Sequence, residues 1–165
     1  MRDRQHREGD ADVAALEPDA AIRGGTVVAR GINYGTAFEI ALKIRELSGL
    51  LFEAYSAADL MHGPVAAIGR GWPVLAVAPT GPALASMRAA VNDVARRGAH
   101  MIVLSDDADL LEQADVPLPL LAGVPEWLSP LVAVVAGQLA AIRLARLRGV
   151  DIDNPLGLSK VTLTR

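Results

Sequence analysis

Along most of this chain, short apolar runs alternate with longer segments of helical period. Thr26 to Arg30 reads as a strand, Gly31-Ile32-Asn33-Tyr34-Gly35 as a turn, and about Thr36 to Ser48 as a helix stopped by Gly49. Leu51 to Tyr55 fits a short strand, and Ser56 to Met61 a brief helix with Ser56 at its N-cap, broken at His62-Gly63-Pro64. Pro73 to Ala78 is the next strand, followed by a helix from about Pro82 to Arg97 and a strand from Met101 to Ser105. Val116-Pro117-Leu118-Pro119-Leu120 carries two prolines, which confine it to a sheet edge or an extended segment. A long helix from about Glu126 to Arg148 comes last, its final turns rich in arginine where the helix dipole favours cations. This alternation predicts an α/β fold, with a parallel sheet covered by helices on both faces.

Composition changes the picture mainly by exclusion. At 165 residues, 52% hydrophobic and 21% charged, the chain fits one globular domain able to build a core without crosslinks. It contains no cysteine, so disulfides and thiolate metal sites are excluded, and with no His-x-x-x-His pair no metal is expected. A net charge of −3, without a basic patch, argues against nucleic acid as a partner. Trp127 to Ile142 is apolar and uncharged but shorter than the ~20 residues of a bilayer span, so it is read as a buried core helix and no membrane partner is expected. Residues 1–24 are crowded with charges of both signs and read as a poorly ordered leader, not a secretory signal. The single domain is expected over residues 25–165, with a tail from 150, in the cytoplasm.

Candidate chemistry starts from the lysines. Fourteen arginines stand against two lysines, Lys43 and Lys160, and a retained lysine suits a position that needs an amine able to attack a carbonyl. Lys43 precedes Glu46 by three residues on the predicted helix, which places both on one face. That spacing fits an ordinary exposed ion pair, and it equally fits a base, Glu46, with a neighbouring ammonium to stabilise oxyanion charge. His62 sits at a turn, where an imidazole titrating near neutrality suits proton shuttling or is simply a polar surface residue. The loop Gly31 to Gly35 lies where an open α/β sheet places ligands, but it matches neither the dinucleotide fingerprint nor the phosphate-loop pattern, and no cofactor is expected. Asp106, Asp107 and Asp109 read as the acidic start of a helix.

Three segments together resemble a known family: Glu39-Ile40-Ala41-Leu42-Lys43-Ile44-Arg45-Glu46-Leu47-Ser48, Glu53-Ala54-Tyr55 through His62-Gly63-Pro64, and Leu158-Ser159-Lys160-Val161-Thr162. In order and spacing they are similar to the second sugar-isomerase (SIS) domain of glutamine:fructose-6-phosphate aminotransferases and of relatives without a glutaminase domain. The resemblance implies a five-stranded parallel sheet flanked by helices, a flavodoxin-like three-layer sandwich. It also implies a phosphosugar ligand, fructose 6-phosphate or glucosamine 6-phosphate, at a subunit interface, with a homodimer or another SIS domain as partner. Glu46 then corresponds to the base that moves a proton between C1 and C2, with Lys43 beside it. His62 corresponds to the histidine that assists ring opening in the neighbouring subunit's site, and Lys160 to the lysine that forms a Schiff base with the open-chain ketose.

The chain also departs from the family pattern. The Ser/Thr-rich phosphate loop of the first SIS copy is missing, and Ala78-Pro79-Thr80-Gly81 stands at the comparable strand end. No glutaminase nucleophile is present; Met61 replaces a common lysine, and Leu156-Gly157 stands where the family tail reads Arg-Asn. Three expectations result: a sugar-phosphate isomerase or deaminase, a non-catalytic phosphosugar-binding module, or a half-enzyme that needs a first SIS copy.

Overall fold

The computed structural model describes residues 23–153; most of the predicted leader, and the tail segment containing Lys160, lie outside them. Five strands form one parallel sheet in the order β2-β1-β3-β4-β5: β1 (Gly24–Ala29), β2 (Leu51–Ser56), β3 (Pro73–Val77), β4 (His100–Ser105) and β5 (Val116–Pro119). The helices are α1 (Tyr34–Ser48), α2 (Ala57–Met61), α3 (Leu84–Arg96), α4 (Ala108–Glu112) and α5 (Ser129–Leu147), with single 3₁₀ turns before α1, after α2 and before α5. The sheet order is that of the flavodoxin-like doubly wound fold, whose chain reverses direction across the sheet between β1 and β3.

Side-chain alternation explains why the strands read as continuous apolar runs. Val27, Ala29, Leu75, Val77, Ile102 and Leu104 point to one face and pack with α1 and α5. Val28, Val74, Ala76, Met101 and Val103 point to the other, where α3 contributes Met87, Ala90, Val91 and Val94. Both faces are therefore buried, as parallel sheets require. The two prolines of β5 are tolerated because it is an edge strand, paired with β4 alone. Ser56 caps α2 as expected, its hydroxyl accepting from the Asp59 N–H at 3.1 Å, and Asp107 does the same for α4 through the Leu110 N–H at 3.1 Å.

One expectation is corrected. The apolar run Trp127 to Ile142 is not a fully buried core helix: α5 buries a face of small residues, Ala133, Gly137, Ala140 and Ala141, and leaves Leu131, Val135 and Leu139 more than half exposed. By length and composition Glu126–Leu147 could cross a membrane, yet its small-residue face is packed on α1 and the sheet. The helix sits close to α1 because Gly137 has no side chain; a Cβ there would fall 2.3 Å from Ile40 Cδ1.

The loop after β1 is tied to the start of α5 by a buried polar link. Asn33 Nδ2 donates to Ser129 Oγ at 2.8 Å, and Asn33 Oδ1 accepts from Thr36 Oγ1 at 3.3 Å. Ser129 Oγ in turn donates to the Glu126 carbonyl at 2.6 Å. Asn33→Ala is expected to cost about 1–3 kcal/mol, because the buried Ser129 hydroxyl loses its donor and Thr36 its acceptor. Urea unfolding checks this, and a loss below about 0.5 kcal/mol contradicts it.

Candidate functional site

α1 follows β1 and runs back antiparallel to the strands, so its C-terminal half lies far from the sheet's carboxyl edge. Lys43 stands nine residues beyond the start of α1, about 14 Å along the axis at 1.5 Å per residue. The buried residues of α1 are Thr36, Ala37, Ile40, Ala41, Ile44 and Ser48; Glu39, Lys43 and Glu46 form a half-buried ridge on the flank of that face, while Phe38, Leu42 and Arg45 point outward. Lys43 Nζ donates to Glu46 Oε2 at 2.7 Å and lies 4.0 Å from Glu39 Oε1. Gln138 Nε2, from α5, donates to Glu39 Oε1 at 3.1 Å and so anchors the head of the ridge to the neighbouring helix. Lys43 and Glu46 each keep 33% of their side-chain surface open.

The hydrogen bond to Glu46 raises the Lys43 pKa above its ordinary 10.5, with further help from the Glu46 and Glu39 charges against a burial cost. Lys43 is therefore a fixed cation at neutral pH, suited to stabilising negative charge and unsuited to attacking a carbonyl. Because the folded-state value is raised, the pair's contribution is complete below the unfolded pKa and lost as pH climbs through the folded one. The stability gap between the parent chain and Lys43→Met is expected to be ~0.2–0.5 kcal/mol at neutral pH. It should close as pH rises above the ordinary lysine value of 10.5 and through the raised folded one, as read by urea melts in alkali.

The other expected site residues are placed differently. His62 ends α2, exposed, its N–H donating to the Asp59 carbonyl at 3.1 Å. α2 packs with Val28, Val74 and Ala76, whereas α1 packs with Val27, Ala29 and Leu75 on the opposite side of the sheet. Within one chain the structure thus brings Lys43 and Glu46 together and sets His62 on the other face. Lys160 falls outside the described residues. The Glu53-Ala54-Tyr55 block lies on edge strand β2, where the Tyr55 hydroxyl donates to Glu53 Oε2 at 2.7 Å, a bond that holds the phenol above its usual range. A groove of about 620 Å³ runs between α1 and β2, bordered by Phe38, Glu39, Leu42, Arg45, Glu53 and Tyr55; Lys43 and Glu46 stand outside it. Glu39 and Gln138 had no signal in the sequence beyond the four-residue step from Glu39 to Lys43.

Two acids lie against the loops at the carboxyl end of the sheet. The Asp106 carboxylate accepts the Thr80 N–H at 2.6 Å. The side chain of Glu126 lies over the loops after β1 and β3: a Cβ on Gly81 would meet its Cγ at 3.3 Å, and one on Gly31 its Oε1 at 4.0 Å. Gly81, at φ 159°, is needed both for that backbone conformation and for this close approach. Among the described residues no group of three or more His, Cys, Asp or Glu has metal-binding geometry.

A parallel sheet of this order, with the Lys43–Glu46 pair on α1, defines an open α/β domain of the doubly wound class. The chain belongs to the SIS domain family, whose profile matches residues 26–148. It is 42% identical over 133 residues to a glutamine–fructose-6-phosphate aminotransferase (isomerizing) of Pyrococcus horikoshii, which covers 81% of this chain and 22% of that protein. Among solved structures it is similar to the C-terminal domain of glucosamine-fructose-6-phosphate aminotransferase from Francisella tularensis, with a TM-score of 0.75, 27% identity and coverage of 87% of this chain and 41% of that one. It is also similar to a glucosamine-6-phosphate deaminase from Thermotoga maritima, with a TM-score of 0.66, 25% identity and coverage of 92% and 44%. The chain thus spans about a fifth of the length of the curated relatives it matches. The five-stranded parallel sheet flanked by helices, expected from the sequence, is the fold observed.

Proposed function

We propose that this domain is the isomerase half of an amino-sugar-phosphate enzyme, acting in the cytoplasm on fructose 6-phosphate or glucosamine 6-phosphate. The observation that carries the proposal is the 2.7 Å Lys43–Glu46 pair on the half-buried ridge of α1, in a chain 42% identical to an isomerizing aminotransferase. In this reading His62 assists ring opening from a neighbouring subunit, and the Lys160 amine attacks the open-chain ketose carbonyl, releasing water to give an iminium. The iminium withdraws electrons from the adjacent C–H, so that Glu46 takes that proton while the electron pair moves onto the iminium nitrogen, and returns it at the neighbouring carbon; the Lys43 ammonium, bonded to Glu46, holds that carboxylate in place. The two lysines are thereby divided by charge state: Lys43 stays a cation through its bond to Glu46, which leaves Lys160 as the nucleophile.

To test the function, the chain is incubated with fructose 6-phosphate, reduced with borohydride and digested for mass spectrometry. A reduced sugar adduct on the Lys160 peptide, absent from Lys160→Arg, is the expected result. Equal labelling of Lys160→Arg removes the Schiff-base role. A melting shift with fructose 6-phosphate, but with no adduct and no product, replaces catalysis with binding alone.

A further inference from the structure

One ammonium on α1 stands between two carboxylates, and only one of them holds it at hydrogen-bond distance. Glu39 precedes Lys43 by four residues, with the acid on the N-terminal side, and Lys43 precedes Glu46 by three. On an isolated helix the first pair is favoured, since Glu four residues before Lys is the better orientation. The structure shows the opposite preference: Lys43 Nζ lies 2.7 Å from Glu46 Oε2 and 4.0 Å from Glu39 Oε1. The two acids are almost equally exposed, at 36% for Glu39 and 33% for Glu46, so solvent does not divide them. Their partners do. The Glu39 oxygen 4.0 Å from Lys43 is also the one that accepts the Gln138 Nε2 amide, at 3.1 Å, whereas Glu46 Oε2 takes the ammonium directly.

We propose that Gln138 is a positioning residue: by tethering Glu39 to α5 it leaves the Lys43 ammonium to Glu46 and so sets the geometry of the pair. The tether depends on how near the two helices lie. Gly137, its neighbour on α5, carries no side chain, and a Cβ there would fall 2.3 Å from Ile40 Cδ1, on the residue that follows Glu39. A neutral amide suits the task, because it fixes the carboxylate by a hydrogen bond without cancelling its charge. Glu39 therefore still adds, after the Glu46 bond, to the forces that keep Lys43 protonated. Released from the amide, Glu39 can turn to Lys43 and form the four-residue ion pair that helix geometry favours, and Glu46 then loses the cation that holds its carboxylate. The catalytic meaning of this choice rests on the functional reading above; the division of Lys43 between the two acids does not.

The test is Gln138→Met in the full chain, which keeps the length of the side chain and removes its donor. Crystal structures of the parent and the variant, both without sugar, read the pair directly. Lys43 Nζ is expected at hydrogen-bond distance from Glu46 in the parent and from Glu39 in Gln138→Met. Exchange of the fructose 6-phosphate proton with deuterated water should lose ~10–100-fold in kcat in Gln138→Met, with KM changed less than about twofold, because a displaced base slows the chemical step and not binding. Adding Glu39→Ala to Gln138→Met should bring the rate back to within about twofold of the parent, since the competing carboxylate is gone. A merely structural glutamine predicts instead a lower melting temperature and no recovery with Glu39→Ala. Lys43 that stays on Glu46 in Gln138→Met, or a lost rate that Glu39→Ala leaves lost, overturns the proposal. Should Gln138→Met fail to fold, Gln138→Ala takes its place in the same comparison. A parent chain that exchanges no proton sinks the isomerase reading alone, because the crystal comparison decides the role of Gln138 without sugar.

Discussion

Glu46→Gln is expected to slow the exchange of the transferable sugar proton with deuterated water by ~10²–10⁴-fold, the range over which a positioned general base contributes. Nuclear magnetic resonance of fructose 6-phosphate incubated with the chain reads this directly. The substitution keeps shape and volume and removes the proton acceptor, while the amide oxygen still accepts a hydrogen bond from Lys43. Stability should therefore change by less than about 1 kcal/mol, since the pair is one-third exposed. Loss of exchange with an unchanged melting temperature is the expected signature. Exchange that survives Glu46→Gln at the parent rate assigns the base elsewhere, and loss in step with unfolding makes Glu46 merely structural.

Gly137→Leu should give the largest change in stability. Even the first carbon of the new side chain would lie 2.3 Å from both Ile40 Cδ1 and Ile40 Cγ1, and Ile40 is itself fully buried in the core between α1 and the sheet. Overpacking of a close-packed core costs ~1–3 kcal/mol and more where the backbone must move. A loss of about 3 kcal/mol or more is expected, a fall of roughly 6–12 °C in melting temperature for a chain of this size. α5 must move away from α1, so the Gln138–Glu39 bond at 3.1 Å should be lost with it. Gly35→Ala is the contrasting control: it lies inside α1 with nothing within 4 Å of the added carbon, and should stabilise by roughly 0.5–1 kcal/mol. If both substitutions prove neutral, the close approach of α1 and α5 is wrong.

The order of elements was legible because each signal in the sequence was local. Prolines 117 and 119 named β5 as an edge strand, Ser56 and Asp107 named helix starts, and Gly49 named a helix end. What stayed hidden depended on which surface faces which. The apolar run of α5 gave its helical period, yet nothing in it distinguished the alanine and glycine side that meets α1 from the leucine and valine side left open. The same holds for the candidate site. The three-residue step from Lys43 to Glu46 predicted their contact, because both lie on one helix. Gln138 reaches the ridge at Glu39, 99 residues away in sequence. The position of His62 across the sheet from α1 follows from which strand residues each helix covers, a fact about pleat and topology that no motif contains. Lys160 lies beyond the described residues, so its place still rests on resemblance.

The two carboxylates at the switch point bear on how binding would respond to its surroundings. Asp106 is fastened to the Thr80 amide and Glu126 is laid over Gly31 and Gly81, so two carboxylates stand at this end of the sheet. On the proposed reading, the sugar's phosphate must find its cations and amide donors on whatever faces the helix ridge. Ionic-strength titrations of ligand affinity would then count charges that belong to that facing surface. Swapping the partner, with this chain untouched, would retune which phosphorylated sugar is kept.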